Sequence, residues 1–287
     1  IHYSRAEKEQ LTGYHIGVGV LDSGIFPHED LKDQIRAFRD FTNKYQLPYD
    51  ETGHGTHVCG ILAGNGRVLH GKYKGMAPCC DLYVGKILNK RGEGSLKTLL
   101  RGLQWLLSIA ESCNIRVINI SVSSIASARP EEQRKLYELF QYAYENNILI
   151  VTAAGNFGPG DNTISRLGDT PYVICVGCHD GDLENGGLRC QDCSGRGPGE
   201  NVWKKPDVVA PGTQIISCQA AYGKYVARSG TSMATPIVSG LLALAREKYP
   251  YLNAMQLKRK LILSATDLGE SYLMRGAGMV DVEKMLS

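Results

Sequence analysis

The chain has 287 residues, enough for one large α/β domain with a filled core, and we predict a single domain over residues 1–287. Its 43% hydrophobic and 21% charged residues are those of an ordinary globular protein. A formal net charge of +3 is too small to indicate a nucleic-acid partner or an anionic membrane surface. No apolar stretch approaches the ~20 residues that span a bilayer. Composition therefore excludes these partners and names no function.

The predicted elements alternate between short apolar runs and longer stretches of helical period. In chain order they are a strand at 16–21, a helix at 56–63, a strand at 82–88, a helix at 96–112, a strand at 117–120, a helix at 131–146, strands at 148–153 and 172–176, and helices at 232–248 and 254–263. This alternation predicts an α/β fold: a doubly wound, mainly parallel sheet with helices on both faces. Chemistry should then lie at the strand-to-helix junctions.

The chain opens at Ile1 without an initiator methionine or the apolar core of a signal peptide, which suggests processing. Nine cysteines are an odd number and include the neighbours Cys79 and Cys80, unlike the disulfide framework of a small secreted domain. Free thiols in a reducing compartment are the simpler interpretation. They favour a cytoplasmic location, with secretion as the alternative.

The first predicted strand ends on a carboxylate. Residues 18–24 read VGVLDSG, so Asp22 follows the apolar run and the turn residue Gly24 comes two positions later. Such an Asp sits at the carboxyl edge of the predicted sheet. Taken alone, an Asp here is more often a helix cap or a turn residue.

A histidine with glycine on both sides opens the next helix. Residues 53–60 read GHGTHVCG, and glycine lets the backbone approach the imidazole of His54 closely. His54 and His57 are three residues apart and share a helix face, so a metal-binding pair is a rival interpretation. The catalytic zinc signature instead has a Glu beside the first His and a four-residue step. We therefore favour a packed, hydrogen-bonded structural role for His57.

A serine begins the helix predicted at 232–248. Residues 229–236 read SGTSMATP and place Ser232 where unpaired N–H groups and the helix dipole favour negative charge. A serine there is also an ordinary N-cap. The order Asp22, His54, Ser232, with each residue in its own glycine-bounded motif, favours a catalytic interpretation.

These three segments resemble the motifs of the subtilisin-like serine peptidases (the subtilase or S8 family), which read D-S/T-G, H-G-T-H and G-T-S-M-A. The resemblance continues through residues 119–121, 153–156, 205–212 and 276–281, and it covers nearly the whole chain. Residues 71–78 and 205–207 look most like the bacterial AprX-like branch, whose members include proteins made without a signal peptide. The resemblance implies a subtilisin-like fold and a serine endopeptidase.

The resemblance also implies a role for each site residue. Ser232 would be the nucleophile, His54 the general base and Asp22 the residue that orients the base. The side-chain amide of Asn156 would form the oxyanion hole with the Ser232 backbone N–H, although a lone Asn is more often a loop residue. The partner is a polypeptide substrate. Family members usually carry a propeptide that can act as an inhibitor, and none is recognisable here.

Two segments resemble the edges of the family's substrate cleft. They are formed by Gly92, Glu93 and Gly94 and by Ser121, Val122 and Ser123. A peptide would add itself between them as an extended strand, although the glycines are equally consistent with a plain turn. The second segment departs from the family pattern Ser-Leu-Gly. Ser123 adds a side chain where substrate backbone normally passes, which predicts restricted side-chain tolerance.

No metal is required for this chemistry. Some subtilases bind structural calcium, and Asp30 matches the position of one family ligand, but the usual calcium loop is not recognisable in residues 65–70. A calcium site at Asp30 therefore stays open. The cysteine pairs 175/178 and 190/193 suggest zinc, but residues three apart on a strand point to opposite faces, so core or loop thiols are expected.

Two rival functions are also consistent with the sequence. A non-catalytic relative would bind a peptide without cutting it, and fluorophosphonate labelling of Ser232 would argue against that. A metal-dependent hydrolase would use His54 and His57, and it would lose activity on chelation without being labelled.

Overall fold

The computed structural model describes residues 4–43, 45–122, 129–180, 189–199 and 203–287. Its strands are β1 (Gly17–Asp22), β2 (Ile35–Asp40), β3 (Asp81–Lys86), β4 (Ile115–Ile120), β5 (Leu149–Ala153), β6 (Val173–Cys178), β7 (Val208–Ala210), β8 (Ile215–Cys218) and β9 (Tyr225–Arg228). Its helices are α1 (Ser4–Lys8), α2 (His54–Ala63), α3 (Leu96–Ile109), α4 (Pro130–Glu145), α5 (Cys190–Cys193), α6 (Thr231–Lys248), α7 (Ala254–Ser264), α8 (Tyr272–Arg275) and α9 (Val282–Met285).

Seven strands form one sheet in the order β2-β3-β1-β4-β5-β6-β7, and each neighbouring pair is parallel. β8 and β9 pair as a separate antiparallel hairpin. This confirms the predicted doubly wound α/β fold. Because the chain builds outward from β1 in both directions, β1 lies at the topological switch point, where open α/β sheets place their functional crevice.

Helices cover both faces of the sheet and explain why its central strands read as continuous apolar runs. Val18 and Val20 of β1 belong to the core on the side of α2, α6 and α7. Leu21 and Ile118 belong to the core on the side of α3 and α4. Helix α6 is enclosed along nearly its whole length, since every residue from Thr231 to Arg246 is buried. None of the described helices is long and apolar enough to cross a membrane.

The prediction of nine free thiols is wrong for one pair. Cys178, at the end of β6, and Cys190, at the start of α5, form a disulfide with Cα atoms 5.7 Å apart. Both cysteines pack in the same apolar core, which brings together residues 12 positions apart in sequence. The other seven cysteines are free. The disulfide also removes two of the four thiols that the zinc alternative required.

Candidate active site

Asp22 and His54 form a short polar contact at the carboxyl edge of the sheet. Asp22 is the last residue of β1 and is fully buried, whereas His54 opens α2 and keeps 24% of its side chain exposed. His54 Nδ1 lies 2.6 Å from Asp22 Oδ1, and the N–H of Ser23 donates to the same oxygen at 2.7 Å. A carboxylate only accepts, so Nδ1 carries the proton and Nε2 is the nitrogen that can receive one.

The approach of α2 to β1 depends on glycine. A Cβ on Gly55 would lie 2.1 Å from the carbonyl oxygen of Gly24 and 3.2 Å from the Cβ of Asp22. Gly53, before the helix, has a φ of 69°, a left-handed conformation that side chains disfavour. The glycines around His54 therefore allow the carboxylate and the imidazole to meet.

Asp50 joins the two elements that carry this pair, a role that was not predicted from the sequence. Its Oδ1 accepts hydrogen bonds from Ser23 Oγ at 2.8 Å and from Gly53 N at 3.0 Å. Its Oδ2 accepts from the N–H and the hydroxyl of Thr56 at 2.8 and 2.7 Å. One carboxylate thus holds both the end of β1 and the first turn of α2. The available signal was an acidic residue just before a helix start.

The environment of His54 sets the direction of its pKa shift. Burial by itself lowers the pKa of the imidazole, but the negative charge of Asp22 and the hydrogen bond to it outweigh burial. The pKa of His54 therefore lies above its ordinary value. The positive charge of Arg228 opposes this shift and the negative charge of Asp50 adds to it.

His57 is a structural histidine, as the sequence predicted. Its Nε2 lies 3.0 Å from both the Ile215 and the Val226 carbonyl oxygens, so it donates to them and ties α2 to the β8–β9 hairpin. Burial lowers the pKa of His57 to about 4. Its Nε2 carries a proton and Asp22 holds Nδ1 of His54, which argues against a metal-binding histidine pair.

Ser232 is the second residue of α6, and its side chain does not cap the helix. Gly230 occupies the N-cap position, and the Ser232 Oγ donates to the carbonyl oxygen of Ser121 at 2.7 Å. An open pocket of about 330 Å³ contains both Ser232 and His54. It is lined by Thr52, His54, Leu88, Lys90, Arg91, Gly92, Ser121, Val122 and Ser232.

Asn156 follows β5 and is exposed, but its side-chain oxygen is engaged. Oδ1 accepts from the backbone N–H of Thr231 at 3.0 Å and from the Thr231 hydroxyl at 3.1 Å. The side-chain nitrogen Nδ2 is thereby left as a donor near the start of α6. Gly230 has a φ of 141°, which favours glycine, and its added Cβ would lie 3.4 Å from Nδ2 of Asn156. No local sequence pattern indicates this role for Thr231.

Some residues of the two predicted cleft edges line this pocket. Gly92, Ser121 and Val122 line it, while Gly94 forms an antiparallel bridge with Leu88 at its side. Glu93 closes the turn between them: its carbonyl accepts from Asn89 N at 2.9 Å and its carboxylate from Asn89 Nδ2 at 3.2 Å. Ser123 lies outside the described residues.

The groups around Asp30 do not fit calcium. Its Oδ1 accepts from the N–H of Val68 at 2.9 Å, and its Oδ2 accepts from the hydroxyl of Tyr225 at 2.6 Å. His28 and Cys218 are its neighbours in a candidate metal cluster, yet calcium takes six to eight oxygen ligands. Both nitrogens of His28 are also paired, with Lys224 O and Asp30 N. Hydrogen-bond donors therefore hold the carboxylate where the resemblance suggested a cation.

The sequence profile of the subtilase family matches residues 13–280. The chain belongs to that family. This subtilase is 35% identical over 299 residues to serine protease AprX of Bacillus subtilis (strain 168), covering 96% of this chain and 67% of that protein. It is 33% identical over 278 residues to subtilisin Savinase of Lederbergia lenta, and this match covers 97% of this chain and 93% of that protein. The solved structure of sphericase superposes with a TM-score of 0.81 at 31% identity, covering 94% and 92% of the two chains. The protein is a serine-type endopeptidase.

Proposed function

We propose that this subtilase cuts peptide bonds through an acyl-enzyme on Ser232, with His54 as general base and Asp22 as the residue that orients it. The observation that carries the proposal is the 2.6 Å contact between Asp22 Oδ1 and His54 Nδ1 at a pocket that His54 shares with Ser232. A buried carboxylate in that position selects the tautomer in which Nε2 is unprotonated, and it stabilises the imidazolium that forms on proton transfer.

The first half of the reaction forms the acyl-enzyme. The Ser232 hydroxyl turns from the Ser121 carbonyl towards Nε2 of His54, which takes its proton as Oγ attacks the substrate carbonyl carbon. The resulting oxyanion accepts hydrogen bonds from Asn156 Nδ2 and from the Ser232 N–H, which has no acceptor within α6 because it lies in the first turn. His54 then gives the proton to the leaving amine. A water molecule then attacks the ester carbonyl while His54 takes its proton. His54 returns that proton to Ser232 Oγ as the acid product leaves.

The hydrogen bonds around the site support a preformed arrangement. Thr231 holds Asn156 before substrate arrives, and Asp50 holds β1 against α2, so little reorganisation is needed when charge develops. A protein that only bound a peptide would need neither the buried Asp22–His54 pair nor a side-chain amide oriented beside a serine. Each proton movement in this mechanism uses groups of the chain itself.

A fluorophosphonate reaction with peptide mapping tests the proposal. We expect the adduct on Ser232, and we expect Ser232→Ala to lose both the adduct and nearly all peptidase activity while remaining folded. The matched control is Ser108→Ala, which removes an exposed hydroxyl of α3 bonded to the Trp105 carbonyl and should keep both properties. An adduct on another residue, or near-parental turnover by homogeneous Ser232→Ala protein, would overturn the assignment.

A further inference from the structure

A second cavity lies at the end of the sheet opposite the active site. It has a volume of about 270 Å³ and is lined by Ile16, which precedes β1, by the start of β4 and by the turn between α6 and α7. Its polar lining consists of Arg116, Arg246 and three asparagines, Asn114, Asn147 and Asn253. The proposed peptidase mechanism uses none of these residues.

Both charged groups in this cavity are cations. No Asp or Glu lines it, and within the described ranges no carboxylate lies within ion-pair distance of Arg116 or Arg246. Burial lowers the pKa of Arg246 to about 10, and the positive charge of Arg116 acts in the same direction. Two neighbouring guanidiniums without a counter-charge raise the free energy of the folded state.

The backbone directs Arg116 into this position. β1 and β4 pair at Gly17↔Ile115 and next at Val18↔Val117, so Arg116 is the extra residue of a β-bulge. Bulges re-aim a side chain that would otherwise follow the regular alternation of the strand. Nε of Arg116 then donates to Asn114 Oδ1 at 2.8 Å, which leaves its two terminal nitrogens for another acceptor.

Arg246 is held on the other side and is only 5% exposed. Its terminal nitrogens donate to the carbonyl oxygens of Leu252 at 2.6 Å and Asn147 at 2.7 Å. Its Nε is buried without a hydrogen-bond partner. These neutral acceptors position the guanidinium but do not compensate its charge. An anion in the cavity would therefore bind against a preformed cationic surface.

We propose that this cavity binds a small oxyanion of the phosphate or carboxylate class between Arg116 and Arg246. The planar N–H donors of a guanidinium match the oxygens of both classes. The N-cap residue of α7, Asn253, lines the same cavity, so the positive end of an 11-residue helix adds to the favourable field. Binding at this end of the sheet stabilises the fold without contact with substrate.

Thermal unfolding tests the proposal with the whole chain carrying Ser232→Ala, which prevents self-cleavage. Sodium phosphate, acetate and citrate are titrated at pH 7.5 against sodium chloride of equal ionic strength. We expect a saturable rise in Tm of about 2–4 °C for at least one of the oxyanions. The anion that saturates at the lowest concentration identifies the class, and isothermal titration with it should give the same dissociation constant.

Arg116→Gln is the informative variant because Arg246 also holds two backbone carbonyls, and its loss would disturb folding. We expect Arg116→Gln to remove the saturable rise while the protein remains folded. Arg134→Gln is the control, since it removes the same charge from an exposed α4 side chain paired with Glu138 and should keep the rise. No saturation with any oxyanion, or equal saturation in Arg116→Gln, would overturn the proposal.

Discussion

The side-chain oxygen of Asn156 accepts two hydrogen bonds from Thr231, the residue immediately before Ser232. The N–H donates at 3.0 Å and the hydroxyl at 3.1 Å, so the start of the helix that carries the serine also orients the amide beside it. These hydrogen bonds fix the relative position of two residues that are 75 positions apart in sequence. The relationship gives a direct test of the proposed oxyanion hole.

We expect Asn156→Ala to lower kcat by ~10²–10³ with a smaller effect on KM, because the amide acts on charge that exists only in the transition state. Thr231→Val should lower kcat less, since it removes the hydroxyl but keeps the backbone N–H that holds Oδ1. Steady-state kinetics on a peptide substrate measures both. An unchanged kcat in Asn156→Ala would remove this residue from the oxyanion hole.

The pH profile should show the upward pKa shift of His54. Its pKa in the folded enzyme lies above the ordinary ~6.5, so the imidazole stays protonated, and inactive as a base, to a higher pH. We therefore expect kcat/KM to rise with pH through an apparent pKa above ~6.5. Asp22→Asn should move that limb to lower pH and reduce kcat by about 10⁴. A flat profile between about pH 5 and 9 would argue against a histidine base.

Asp50 is expected to act as a positioning residue. Asp50→Asn replaces an acceptor with a donor beside Ser23 Oγ and the first turn of α2, so we expect a lower Tm and a lower kcat. Loss of its negative charge should also shift the acid limb of kcat/KM to lower pH, a change that destabilisation alone would not cause. Asp33→Asn, at an exposed carboxylate paired with Arg67, is the control. An acid limb that stays in place would limit Asp50 to a structural role.

The positive charge of the substrate pocket predicts a preference for acidic peptides. This prediction rests on the proposed function. Lys90 and Arg91 are exposed, line the pocket with His54 and have no carboxylate partner among the described residues. We expect peptides with acidic residues near the scissile bond to be cut faster than basic ones, by up to about fivefold at low salt. Arg91→Glu should reduce or reverse this preference in a peptide library, whereas Lys97→Glu, outside the pocket, should not. Identical profiles for parent and Arg91→Glu would contradict it.

The disulfide predicts how many free thiols the protein contains. Titration of unfolded, unreduced protein should find seven thiols, since two of the nine cysteines are paired. A bridge across 12 positions stabilises by about 2–3 kcal/mol through loop closure, so reduction or Cys178→Ser should lower Tm. The exposed free cysteine provides the control, because Cys79→Ser should leave Tm unchanged. Nine reactive thiols would show that the bridge does not form.

The sequence predicted the central strands well because burial on both faces leaves an unbroken apolar run, as in β1, predicted at 16–21 and found at Gly17–Asp22. It missed β2, an edge strand whose sequence IRAFRD contains three charged residues, and it missed β7, which has only three residues. Five predicted helices were found within a few residues of their predicted bounds.

At the site, the sequence indicated the reacting residues but not the residues that position them. Resemblance to family motifs indicated Asp22, His54, Ser232 and Asn156, but no local pattern could indicate that Asp50 holds two elements together or that Thr231 orients an amide. Those roles depend on contacts between segments, and residue spacing carries no information about them. The disulfide escaped prediction for the same reason.

The enclosure of α6 affects how long the enzyme survives its own activity. A peptidase cuts extended chain, and a helix buried from Thr231 to Arg246 offers none until the core on that face of the sheet opens. Self-digestion of native molecules is therefore expected to begin in exposed turns outside the substrate pocket, such as residues 222–224, and a nick there leaves the nucleophile in place. Loss of function over time in storage should follow the rate of global unfolding rather than the rate of surface clipping.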